Sequence, residues 1–479
     1  METYKKFIAV TFTNTVEYAP ESTSNQTEPM NSSPQLFDLL IKDAILITAD
    51  PSQPLIRNGY LGVAQGVITY LSQAEPLNYR ATTTMSLPGH FVTPGFVNPH
   101  AHSILSMVRG VASDLGFAPS YTPGIPKGTQ VNPEQARALA QLGALEALLF
   151  GSTVLGDNFV HADIAAQAMA ELGMRLCPSW RIHDVDFAKV AHGEWHHDPA
   201  IGARTLEAGM ALYETWKDHP LVTVNLAAHA VDTCSEDFLR EVAELSTKHN
   251  LVVSTHLGQS QVEVKRVHER TGYTSTEVLY DTGLLNDRLM CGHCIYVTDS
   301  DIAKMAAHNA HVVHIPKPNA TSGRLAPTPK LKAAGINICL ATDTQHADMV
   351  ELMRWALITA RIQEGGVNES WQPDHVFHMA TMGGAKALSM QDTLGSLTVG
   401  KAADFVVING NRPHLTPHVN PVGNLVHTGQ GRDVLHVVVA GDFVVRDGLP
   451  TRVDMDEVVR RAETAARQLW GAEGVQYWL

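Results

Sequence analysis

Between residues 91 and 391 the chain repeats one pattern eight times: a short apolar run rich in β-branched residues, then a longer stretch with helical spacing. The strand-like runs fall at 90–97, 153–156, 175–180, 222–228, 251–256, 288–294, 311–315 and 336–341. The helical stretches that follow them fall at 133–150, 162–172, 202–217, 236–248, 275–285, 299–308, 328–334 and 348–363. Parallel strands need a crossover between them, and a helix is the usual one. Eight such units in series predict an α/β chain folded as a (β/α)8 TIM barrel over residues 91–391. Such barrels place their chemistry at the C-terminal ends of the strands, so reactive side chains at those ends carry the most information.

The first run ends in His100-Ala-His102. On a strand, residues two positions apart share a face, so both imidazoles can reach one ion. A chain with 24 histidines contains such pairs by accident. The pair gains weight from Ser254-Thr-His256, Cys291-Gly-His293 and Leu340-Ala-Thr-Asp343, which end runs five, six and eight. Three histidines and a carboxylate on separate strand ends can complete a nitrogen and oxygen site for zinc or a similar divalent metal.

The two flanks of the barrel region differ from it. Residues 37–90 and 392–450 carry short strand signals broken by Pro, Gly and Asp turns, and are expected to pair as one discontinuous β-sandwich domain. Residues 451–479 read as a terminal helical segment. Residues 1–36 are polar, rich in Ser, Thr, Asn and Pro, and expected to form a disordered or extended tail; they lack the basic start and apolar core of a secretory signal. A net charge of −14 argues against nucleic acid or an anionic membrane as partner, and no apolar run approaches 18 residues. The five cysteines (177, 234, 291, 294, 339) are too few and of the wrong parity for a disulfide framework, which predicts a reducing, cytoplasmic setting. Cys291-Gly-His-Cys294 has no second Cys pair to make a structural zinc site.

With these motifs in place the chain resembles the amidohydrolase superfamily, in the branch of triazine hydrolases, S-adenosylhomocysteine deaminases, guanine deaminases and cytosine deaminases. The carrying residues are Pro94-Gly-Phe-Val-Asn-Pro-His-Ala-His102, Arg109-Gly110, Ala228-His-Ala-Val-Asp-Thr-Cys-Ser235, Thr255-His-Leu-Gly-Gln259, Gly292-His-Cys294, His314-Ile-Pro-Lys-Pro-Asn319, Ala341-Thr-Asp343 and Gly395-Ser-Leu-Thr-Val-Gly-Lys-Ala-Ala-Asp404. The resemblance implies a metal-dependent hydrolase of a non-peptide C–N bond (amide, urea-like or exocyclic amine) in a small molecule. Its alternatives are a heterocyclic aminohydrolase releasing ammonia and a non-catalytic scaffold of the same fold. It further implies His100, His102, His256 and Asp343 as ligands of one divalent ion, zinc first, with iron, manganese and cobalt compatible. His293 and Asp343 would be the catalytic pair. A homo-oligomer, dimer or tetramer, is expected.

One departure from the resembled pattern stands at Gln259, where deaminases of this branch usually carry glutamate. An amide orients a substrate but trades no protons at neutral pH. Further pocket residues are expected at His229, Lys317, Arg109, Trp180 and His346. Residues 116–128, with three prolines, are expected to form a lid, a subunit contact or a plain surface loop.

Overall fold

The computed structural model describes residues 34–112, 122, 124–190, 192–344 and 346–471. Most of the expected tail, much of the loop at 116–128 and the last eight residues lie outside them.

Eight parallel strands follow one another in chain order: Phe96–Ala101, Ser152–Phe159, Arg175–Ile182, Leu226–Ala230, Val253–Leu257, Leu289–His293, His311–His314 and Ile338–Leu340. Most are buried on both faces, which is why they read as apolar runs rather than as alternating ones. Val97, Val154, Cys177, Met290, Val313 and Cys339 come from six different strands and meet in one core cluster inside the barrel. The helices outside it start where their caps dictate. Asn132 accepts from the Gln135 N–H and precedes Pro133–Leu149, and Ser235 caps Glu236–His249.

Element edges moved where β-propensity misled. The fourth strand begins at Leu226; Val222 makes only an isolated bridge to Leu176. Among the helices not expected are Gln261–Thr271 and Pro316–Thr321 within the barrel, and Pro373–Ala380, Met382–Ala387 and Pro421–Thr428 after its last strand. The terminal helix is Met455–Trp470, and its Trp470 Nε1 donates to the Met107 carbonyl at 2.8 Å. It thus buttresses the segment that follows the first strand. Among the described residues no helix is long and apolar enough to cross a membrane.

The flanking strands form a single nine-stranded sheet. Phe91–Pro94, expected to open the barrel, instead belongs to this sheet and pairs antiparallel with Phe405–Ile408, because the chain breaks at Gly95 before the first barrel strand. The sheet folds over its own core of Leu39, Ile41, Leu61, Ile68, Phe405 and Val407, so that Val67 bridges Ala402 across the fold.

One buried ion pair ties the sheet to the barrel. Arg175 grips Asp404 with Nε at 2.8 Å and Nη2 at 3.0 Å, and Asp404 also accepts from the Ala440 N–H. Asp404 is 3% exposed and Arg175 16%. Removing one partner strands a buried charge, so Arg175→Ala is expected to cost about 3–5 kcal/mol of stability. The denaturant midpoint measures this, and an unchanged midpoint would show that the fork is ornamental.

Candidate metal centre

The barrel closes at the site itself. Beyond Leu340 the chain reaches Asp343, which forms the bridge to Ala101 that joins the last strand to the first. The His102 N–H donates to the Asp343 carbonyl at 2.8 Å, and the Asp343 N–H to the His100 carbonyl at 3.2 Å. Asn98 locks this seam, donating to Thr342 Oγ1 at 2.7 Å and accepting from the Thr342 N–H at 3.2 Å. Asp343 and His293 both hold left-handed backbone, at φ 63° and 67°. Such strain costs roughly 1–3 kcal/mol per residue and persists where the surroundings enforce it.

His100, His102 and His256 each aim one nitrogen at a common point, and the three atoms lie within 4.8 Å of one another. Asp343 Oδ1 lies 3.3 Å from His102 Nε2 and 3.9 Å from His100 Nε2. The far side of each ring is engaged. His102 Nδ1–H donates to the Asn158 carbonyl and His256 Nδ1–H to the His229 carbonyl, each at 2.6 Å. Those acceptors place the proton on Nδ1 and turn a bare Nε2 toward the centre. His100 Nδ1 lies 3.3 Å from Asn158 Nδ2; exchanging that amide's oxygen and nitrogen, which have nearly the same shape, gives His100 the same tautomer. His100 Nε2 is buried without a hydrogen-bond partner. A cation satisfies such a nitrogen, and the donor set suits a divalent ion.

Electrostatics agree. Burial, then the neighbouring His102, His256 and His293, hold His100 far below the usual imidazole range. Burial takes His102 down to about 3 and His256 to about 4. All three are neutral, the form that binds a metal. Burial pushes the Asp343 carboxyl up to about 7, and a cation at the cluster opposes that rise by favouring the carboxylate.

His293 lies beside this group, its ring stacked on His256 at 5.5 Å between centroids. Its Nδ1 is 2.9 Å from the Asn319 Oδ1, which accepts the proton there. His229 is 5.1 Å from His256 between centroids, with Nδ1 held by Thr233 Oγ1 at 2.8 Å. Gln259 follows the fifth strand, and its N–H donates to Glu263 Oε2 at 2.8 Å. Arg109 and His346 line the same small cavity as His102 and Asp343, but Arg109 is paired with Glu146. Lys317 is likewise paired, with Glu351 at 2.6 Å. Trp180 is the misplaced expectation. It lines an outer groove with Ile164, Ala208 and Trp216, because neighbouring strand residues face opposite ways and Arg181 takes the inward position.

Several residues of this cluster escaped the sequence reading. Asn158 and Asn319 hold the Nδ1 atoms of His102 and His293, and Asn319 sits within the quoted His314–Asn319 motif. Glu263 is buried and takes hydrogen bonds from the Gly258 and Gln259 N–H groups and from Ser275. Burial and nearby Asp232 raise its pKa against those donors. Its signal was local: Glu263 follows the helix cap Ser260 by three residues.

Residues 91–444 match the amidohydrolase family, which spans the barrel, both ends of the ligand set and the return to the flanking sheet. The chain belongs to the amidohydrolase family. Among its relatives is the 5-methylthioadenosine/S-adenosylhomocysteine deaminase of Syntrophobacter fumaroxidans, 30% identical over 90% of this chain and 98% of that one. The 5'-deoxyadenosine deaminase of Methanosarcina acetivorans is 29% identical, over 91% of this chain and 99% of its own. A crystal structure of an adenosine deaminase from Xanthomonas campestris with bound zinc superposes with a TM-score of 0.83 at 25% identity, covering 91% of this chain and 99% of that one. This amidohydrolase is therefore an enzyme acting on carbon–nitrogen bonds other than peptide bonds.

Proposed function

We propose that this amidohydrolase removes an exocyclic amino group from a nitrogen heterocycle of the aminopurine type, using one divalent ion, zinc first. The observation that carries the reading is the convergence of His100, His102, His256 and Asp343, with His293 alongside, at the mouth of the barrel. Its substrate class rests on the similarity to nucleoside deaminases over nine-tenths of the chain. A divalent ion in this cluster supplies Lewis acidity, which makes water a usable nucleophile near neutral pH.

The chain's own groups do the rest. Asp343, set against the Nε2 atoms of His102 and His100, accepts a proton from the attacking water and returns it to the departing amine. His293 donates its Nδ1–H to Asn319, so its Nε2 is an acceptor facing the reaction zone. Burial, and after it His256, keep that ring neutral. Gln259 orients the ring through its amide and transfers no proton, so acid–base work concentrates on Asp343 and His293.

The test is ammonia release by zinc-loaded protein from adenosine, 5'-deoxyadenosine and S-adenosylhomocysteine, beside an N-alkyl triazine and an aryl amide. Ammonia from at least one aminopurine nucleoside is expected. Gln259 favours a second reading, hydrolysis of an amide or urea-like bond, and amine release confined to the amide or triazine would select it. In the same assay Gln259→Glu is expected to leave kcat on the preferred substrate unchanged or lower. A gain of about 100-fold, the scale of a positioned general acid, would show that the glutamine is no adaptation.

A further inference from the structure

The third strand does not pass straight into its helix. A strap leaves at His183 and returns at Asp198, with residue 191 outside the described residues. Its base is pinned twice. Val185 and His197 form a β-bridge, and the Asp198 N–H donates to the Asp184 carbonyl at 2.7 Å. The Asp184 carboxylate accepts from His197 Nδ1–H at 2.7 Å and from the Ser235 N–H at 3.0 Å. Arg270 then donates to His197 Nε2 at 2.9 Å and to the Val231 carbonyl at 2.8 Å. Arg266 lies over the Trp195 ring at 4.7 Å and donates to the Gly193 carbonyl. The strap is thus clamped to the rim after the fourth strand and to helix Gln261–Thr271.

The clamp directs one side chain inward. Phe187 opens the short helix Phe187–Val190, and its ring contacts three polar groups of the barrel mouth. The Arg181 guanidinium lies 4.4 Å above it, and Phe159 covers the same guanidinium at 4.9 Å. His183 and His229 meet the Phe187 ring edge-on, with centroids 4.5 Å and 4.9 Å away. Arg181 is 5% exposed. A guanidinium between two phenyl faces keeps its plane, and hence the direction of its N–H fork. His229 is fixed at Nδ1 by Thr233, and its carbonyl holds the ligand His256. Phe187 therefore touches a cation and an imidazole that both stand next to the ligand cluster, while lying outside it.

We propose that Phe187 is a positioning residue for substrate binding: the clamped strap delivers its ring to hold Arg181 and His229 in their substrate-facing arrangement. The proposal rests on the reading of the barrel mouth as the substrate pocket. It assigns the strap to recognition and leaves the chemistry to the ligand cluster, so its loss weakens binding rather than turnover.

Two measurements test it on the full-length, zinc-loaded protein. The first needs no substrate: phenylglyoxal labelling of Arg181, followed by peptide mass spectrometry. Phe187→Leu retains apolar volume but removes the π face, and Phe187→Ala removes both. Labelling is expected to quicken by about 10-fold in each, and Phe187→Tyr to remain as protected as the wild type. The second is steady-state kinetics on whichever substrate the ammonia and amine assays identify. KM is expected to rise by about 10-fold in Phe187→Leu with kcat within about 3-fold and zinc content unchanged, and to return in Phe187→Tyr. Unchanged labelling in both Phe187→Leu and Phe187→Ala overturns the proposal. So does a fall in kcat at constant KM, or a Phe187→Tyr variant that behaves like the leucine. If no tested compound turns over, the functional reading fails, while the labelling result still decides whether Phe187 holds Arg181.

Discussion

Replacing His256 by alanine is expected to empty the metal centre. The side chain supplies one of three imidazole nitrogens clustered within 4.8 Å, and its Nδ1–H is the partner of the His229 carbonyl. Loss of a mere orienting group around a metal costs 10–100-fold in affinity, so loss of a ligand costs more. The dialysed His256→Ala variant is expected to contain far less than one zinc per chain, and hydrolysis to fall by at least ~10³-fold. Elemental analysis beside the activity assay checks both. A variant that kept full metal content would remove His256 from the ligand set. Treatment of the wild type with a chelator, then readdition of zinc, is expected to abolish and restore activity in step.

Asp343→Asn is expected to have a comparable effect on turnover by a different route. Asparagine matches the shape of the aspartate and is compatible with its left-handed backbone at φ 63°, so the seam with Ala101 should survive. It lacks the carboxylate beside His102 Nε2 and can neither take nor give back a proton. A fall of roughly 10²–10⁴ in kcat is expected, the range for a lost general acid–base group. Thermal denaturation should confirm a folded barrel. Turnover within a few-fold of the wild type would mean that proton transfer runs through His293 alone.

The barrel was legible because strands buried on both faces leave apolar runs at regular intervals, and because helices bury one stripe between them. The clustering of the four candidate ligands was legible for a related reason. His100 and His102 share a face through strand periodicity, and His256 and Asp343 close recognisable runs. What escaped depends on parity and distance. Trp180 and Arg181 are adjacent, and nothing in the sequence says which of them faces the axis; the structure turns Arg181 inward and leaves Trp180 among helices. Helix Gln261–Thr271 was missed because its apolar residues are three valines among charged neighbours, and only Val267 of these is fully buried. Pro316–Thr321 was missed because prolines 316 and 318 read as a break, although proline suits a first turn. Arg175 and Asp404 meet through the sheet-to-barrel docking, which no local window contains. The turn at Asp343 and the strap carrying Phe187 belong to the same class: both depend on how distant segments finally meet.

The seam at Ala101 and Asp343 gives the molecule an assembly checkpoint. The hydrogen bonds that shut the cylinder are the ones that bring His100 and His102 against Asp343. A nascent chain carries His100, His102 and His256 long before Asp343 has been made, yet only the last strand's arrival sets its carboxylate beside them. A divalent ion held there as proposed would be taken up only once that strand has docked, and would rivet the first strand to the last.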